Sequence, residues 1–128
     1  MSGHRRDARP VHVFVYGTLR SGSRTAELLR GCTRLRAASV RGTLYEVDRS
    51  YPALVLAGGD VIHGEIWSCR PEQLGALDDY ERVAEGLFRR VGVRVGDVAC
   101  WTYVAGPKLA RLLTPRRRIA SGVWSPDA

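Results

Sequence analysis

Apolar and polar positions alternate over much of this chain, and the places where the period of two breaks are as informative as the runs. Residues 11–16, VHVFVY, set Val11, Val13 and Val15 against His12, Phe14 and Tyr16, a strand with both faces at least partly covered. Residues 34–47 read as a second extended segment, with Gly42 at a bulge or close approach. Residues 49–60 read as a loop, a short apolar strand and a Gly-Gly-Asp turn, and residues 61–69 as a further strand of mixed faces. Two more strands, 87–95 and 98–105, flank Gly96-Asp97, a hairpin signal. Helical spacing appears in three places only: RTAELLRG at 24–31, capped by Ser23 and stopped by Gly31, the stretch around 70–83, and a weak turn at Pro107–Leu113. The pattern predicts an α+β domain over 11–124, between a disordered lead at 1–10 and a short tail at 125–128.

Two segments do not behave as simple connectors. The strand ending at Tyr16 runs into GTLRSGS, where Gly17, Thr18, Arg20 and Gly22 bring small and donor-bearing residues together. Reversing the chain needs less, and the turn is read as a holder of a small anion. In RPEQLGALDDYERV, Pro71 and Glu72 suit a helix start. Leu74 and Leu77 define its buried stripe, which four residues further on reaches Glu81. Burial and the negative helix end both raise a carboxylate pKa, which makes a base usable near neutrality. The residues alone leave a second reading open, a helix-end Glu81 paired with Arg82, Arg89 or Arg90. They also leave Glu65, in a strand beside Trp67, as a rival buried acid. Asp78 and Asp79 read as a helix-surface or C-terminal turn pair.

Composition narrows the classes. With 128 residues, 45% hydrophobic and 26% charged, the chain suits one soluble globular domain, and no apolar run approaches the ~20 residues of a bilayer span. No signal peptide is read at the N-terminus, and a cytoplasmic location is expected. The net charge of +7 raises nucleic-acid binding as a possibility. The arginines are dispersed, however, with the densest run only Arg116–Arg118, and no aromatic interleaving or reading helix accompanies them. No nucleic-acid partner is expected. Cys32, Cys69 and Cys100 are odd in number and widely spaced, against a disulfide framework or zinc site, and are read as small buried or half-buried residues. His12 and His63 are read as packed or edge residues.

The glycine turn and the helix-end acid, taken together, resemble the gamma-glutamylcyclotransferase-like, or AIG2-like, family. The resemblance begins at YGTLR and continues in order through GTLYEV, YPALV, VIHGEIW, LDDYE, LFRRVGVRV, WTYV and IASGVW, nearly the whole chain. It implies a small mixed β-barrel with flanking short helices and a polar cavity at one end. It also implies an enzyme that releases 5-oxoproline and a free amine from a γ-glutamyl amine or amide, by intramolecular attack of the α-amine. The alternative is a binding module for a small molecule or protein on the same fold.

By that resemblance, Gly17, Thr18 and Leu19, following Tyr16, hold the glutamyl α-carboxylate through backbone N–H groups. Glu81 is the general acid/base, and Tyr103 faces the cavity. A substrate that carries its own nucleophile calls for no Ser or Cys, no metal and no cofactor. The chain departs from the family at Arg82, where a glycine is frequent, at Phe88, which lacks a hydroxyl, and at Val123, where an acid is common.

Overall fold

The computed structural model describes residues 9–16, 27–48 and 51–124. The expected anion turn at Gly17, Thr18 and Leu19, the Ser23 cap and the tail at 125–128 lie outside them. Of the expected lead, Arg9 and Pro10 are described, both exposed and outside any element.

Among the described residues five strands build one sheet: β1 Val11–Val15, β2 Thr33–Asp48, β3 Tyr51–Cys69, β4 Phe88–Val95 and β5 Val98–Ala105. Their order is β2-β3-β1-β5-β4. β1 runs antiparallel to the second half of β3, from Val11 opposite Cys69 to Val15 opposite Glu65, and parallel to β5 at Val13 and Trp101. Helix α1, Gln73–Tyr80, follows β3, and a single turn, α2, Pro107–Ala110, follows β5. The β4–β5 hairpin closes over Gly96-Asp97, with Val95 opposite Val98 and Gly96 at φ 64°.

β1 is short, and the sheet curls around its end. Past Val15, β3 reaches β5 directly, with Leu54 opposite Val104. Tyr16 stands at that junction. Its hydroxyl donates to the Tyr103 carbonyl at 2.6 Å and accepts from the Leu54 N–H at 3.2 Å.

The expected β-barrel is not formed. No ladder joins β2 to β4, so the sheet stays open with those two strands as its edges. Both edges carry arginines outside the described ion pairs, Arg36 and Arg41 on β2 and Arg89 and Arg94 on β4, and charged side chains on an edge strand oppose further pairing. The curl over the end of β1 brings the sheet's interior together without closure.

Residues 49–60 also differ from expectation. β3 is continuous from Tyr51 to Cys69, and the Gly-Gly-Asp stretch lies within it. Its register jumps there: Gly42 faces Asp60 while Thr43 faces Val55, so residues 56–59 bulge, held by the Thr43 hydroxyl donating to the Ala57 carbonyl at 2.6 Å.

Apolar side chains cover both sheet faces, as the alternation in β1 requires. Phe14 and Tyr16 join Leu44, Leu54, Ile62, Ile66, Val104 and Trp124 on one side. Val13 joins Leu29, Leu74, Leu77, Phe88, Tyr103 and Leu109 on the other, which packs α1 and α2 against the sheet. Cys69 and Cys100 are buried, and Cys32 is half-buried with its thiol donating to Gln73 Oε1 at 3.3 Å.

Candidate active site

A cavity of about 470 Å³ opens where β1 ends, within the size range of small-molecule pockets. Its floor is Val13–Tyr16 of β1, and Tyr51 and Pro52 enter from the start of β3. Leu77 and Asp79–Glu81 come from the end of α1, Arg82, Glu85 and Leu87 from the turn after it, and Phe88 and Tyr103 from β4 and β5. Leu29, ahead of β2, also lines it.

Glu81 reaches the cavity for the reason its spacing gives. Leu74 and Leu77 are the buried residues of α1, and Glu81 caps the helix one turn beyond Leu77. Burial pushes its carboxyl from an ordinary 4.5 up to about 7. None of the three arginines considered as partners takes that role among the described contacts. Arg82 pairs with Glu85 at 3.2 Å, Arg90 pairs with Asp78, and no bond of Arg89 to Glu81 is formed. The rival acid, Glu65, accepts from Arg34 at 2.7 Å and from the Trp67 indole at 3.0 Å, and does not line the cavity.

The loop after Glu81 keeps a glycine-type backbone without the glycine. Arg82 lies at φ 54°, ψ 46°, the one non-glycine residue with positive φ among those described. A 3₁₀ turn at Val83–Glu85 and Gly86, φ 81°, complete the reversal. Of the other departures, Phe88 is buried with its ring 6.0 Å from that of Tyr51, and Val123 is exposed outside the cavity wall.

Of the tyrosines that line the cavity, Tyr16 and Tyr103 feel the Glu81 charge, and the hydroxyls of both are hydrogen-bonded. Burial, with the Glu81 charge behind it, holds the Tyr16 hydroxyl protonated far above its ordinary range. The Tyr103 hydroxyl donates to Asp78 Oδ1 at 2.5 Å, and burial followed by that bond pushes its pKa up as well. Asp78 is gripped by Arg90, Nε to Oδ1 at 2.9 Å and an Nη to Oδ2 at 3.2 Å, and the Arg90 guanidinium lies 4.5 Å from the centroid of the Trp101 ring. Asp78, read from sequence as surface, is thus half-buried in a polar network. The signal was present, since Asp78 follows Leu74 by four and shares its face.

The structure therefore brings Tyr16, Glu81 and Tyr103 around one cavity, while Gly17, Thr18 and Leu19 fall outside the described residues. Among the described residues no three His, Cys, Asp or Glu side chains come together as a metal site. Among the described residues no helix is long and apolar enough to cross a membrane.

Comparison with known proteins bears on what such a cavity serves. The sequence profile of the family described as Gamma-glutamyl cyclotransferase, AIG2-like, matches residues 13–126. The gamma-L-glutamyl-butirosin B gamma-glutamyl cyclotransferase of Niallia circulans is 33% identical over 103 residues, which cover 73% of this chain and 65% of that protein. Among solved structures, the uncharacterized protein PH0828 of Pyrococcus horikoshii superposes with a TM-score of 0.68 at 27% identity, covering 88% of each chain. Protein ytfP of Escherichia coli gives 0.69 at 27% identity, covering 89% of this chain and 96% of its own.

Proposed function

Because the chain belongs to the AIG2-like gamma-glutamyl cyclotransferase family, we propose that it cyclises the glutamyl group of a γ-glutamyl amine, releasing 5-oxoproline and the free amine. The observation that carries this reading is Glu81: a carboxylate facing the cavity, raised to about 7 by burial, with no hydrogen bond or ion pair to its side chain among the described residues.

The reaction needs a folded substrate and a proton carrier. The α-nitrogen attacks the γ-carbonyl carbon, a C–N bond forms to close the five-membered ring, and the bond from that carbon to the leaving nitrogen breaks. The α-ammonium loses two protons on becoming the lactam N–H, and the leaving nitrogen gains two on becoming an ammonium. Glu81 carries them in turn, as base and then as acid, for which a pKa near neutrality is suited. The backbone N–H groups of Gly17, Thr18 and Leu19, next in the chain after Tyr16, hold the α-carboxylate and set the fold of the glutamyl group. Well-oriented intramolecular attack corresponds to effective molarities of ~10⁵–10⁸ M, so positioning supplies much of the rate.

The test is incubation with a panel of γ-glutamyl amines while 5-oxoproline is followed by mass spectrometry. Glu81→Gln is expected to lower kcat by about 10²–10⁴-fold with little change in substrate affinity. Undiminished turnover in that variant overturns the assignment. Ligand binding without 5-oxoproline from any member of the panel points instead to a binding module on this fold.

A further inference from the structure

A phenol has a single proton, and the direction in which Tyr103 spends it decides what the cavity offers a ligand. That proton goes to Asp78 Oδ1. Arg90 donates to both Asp78 oxygens, which makes Asp78 an acceptor toward Tyr103, and the stacking of Arg90 on Trp101 fixes the guanidinium. The network draws on α1, β4 and β5, so its geometry is set by three packed elements. Tyr16 is committed in the same way, to the Tyr103 carbonyl and the Leu54 N–H.

We propose that Asp78, steadied by Arg90, is a positioning residue that accepts the hydrogen bond of the Tyr103 hydroxyl, so that the phenol presents only lone pairs to the cavity beside Glu81. Without Asp78 the phenol is free to turn and donate to the Glu81 carboxylate. Such a bond favours the charged carboxylate and lowers its pKa, weakening the base. It also sets a donor where the α-ammonium, itself all donors, requires acceptors.

The charged and titratable groups around this pair, among the described residues, are these. Asp79 and Tyr80 lie on α1 itself, Arg82 and its partner Glu85 on the following turn, Tyr16 and Tyr51 at the β1 and β3 side, and Arg90 on β4. The catalytic consequence rests on the reading of Glu81 as the acid/base; the effect on its titration does not.

The experiment follows the Glu81 carboxyl by ¹³C NMR titration of the full chain, its resonance identified by its loss in Glu81→Gln. Wild type, Asp78→Ala, Tyr103→Phe and the double variant are compared. Asp78→Ala is expected to lower the Glu81 pKa by about one pKa unit, Tyr103→Phe to leave it high, and the double variant to restore it. No drop in Asp78→Ala, or a drop that persists once the Tyr103 hydroxyl is gone, overturns the proposal. If Asp78→Ala does not fold, Asp78→Leu with Arg90→Met replaces the pair by apolar residues without stranding a charge, and is read with and without Tyr103→Phe in the same way. In kinetics, the acid limb of kcat/KM in the Asp78 variant moves to lower pH by the same amount. A titration pattern as expected in proteins that release no 5-oxoproline sustains the positioning role and removes the proposed reaction. A flat titration in an active enzyme does the reverse.

Discussion

The amide of Glu81 donates to the carbonyl of Leu77 at 2.9 Å, so the final turn of α1 carries a carboxylate on to the face that Leu74 and Leu77 bury. That placement opposes stability. Between pH 4.5 and about 7 the folded chain retains a proton that the unfolded chain has released. The stability linked to Glu81 is therefore fully present below pH 4.5 and is lost as pH rises through about 7. Glu81→Gln, which cannot ionise, is expected to exceed wild type at pH 8 by at most about 3 kcal/mol and to match it near pH 4. Urea unfolding at the two pH values measures both differences. Equal stability at pH 8 means that the charged carboxylate is well solvated in the cavity.

The same group sets a pH dependence of the proposed turnover. A base that titrates near 7 is protonated below that pH, and kcat/KM is expected to fall about tenfold for each pH unit lost on the acid side. Glu81 in its ordinary range would move this limb down toward 4.5. A pH–rate profile at substrate concentrations well below KM distinguishes the two.

Tyr16 offers a test of the curl itself. Its hydroxyl joins β3 to β5 through the Leu54 N–H and the Tyr103 carbonyl, at the point where β1 no longer separates them. Tyr16→Phe keeps the ring in the core but leaves the Leu54 N–H and the Tyr103 carbonyl without this partner. A destabilisation of about 1–3 kcal/mol is expected in chemical denaturation. A cost near zero indicates that the strands close on each other without the hydroxyl.

Local periodicity made the helix face readable, because the step from Leu77 to Glu81 depends only on the pitch of one helix. The alternation of Val13 and Phe14 likewise foretold that they take opposite sides of the sheet, and Gly96-Asp97 marked its hairpin. What failed depends on partners distant in the chain. Barrel or open sheet is decided by whether β2 meets β4, and the arginines of the two strands mark edges only once the strand order is known. Gly58-Gly59-Asp60 has the composition of a turn, and only the register opposite Gly42 and Thr43 makes it a bulge within β3. Asp78 passed for a surface residue because its partners, Arg90 and Tyr103, lie 12 and 25 residues away on other strands.

Arg82 holds a backbone conformation that suits glycine, φ 54° and ψ 46°, directly after the acid. A left-handed residue with a Cβ costs roughly 1–2 kcal/mol, and glycine's greater freedom in the unfolded chain returns about half of that. The strain persists because the loop is fixed at both ends: the Arg82 amide donates to Asp79, the Arg82 carbonyl accepts from Glu85 and Leu87, and the Gly106 amide ties Leu87 to the start of α2. Arg82→Gly is therefore expected to stabilise the protein by about 0.5–1 kcal/mol, and the exposed ion pair to Glu85 that it removes contributes little against this. Arg82→Val, β-branched at the same dihedrals, is expected to destabilise it. Denaturation midpoints of the two variants, read against wild type, give the sign directly, and a destabilised Arg82→Gly means that the arginine side chain, not the loop, holds the turn after Glu81.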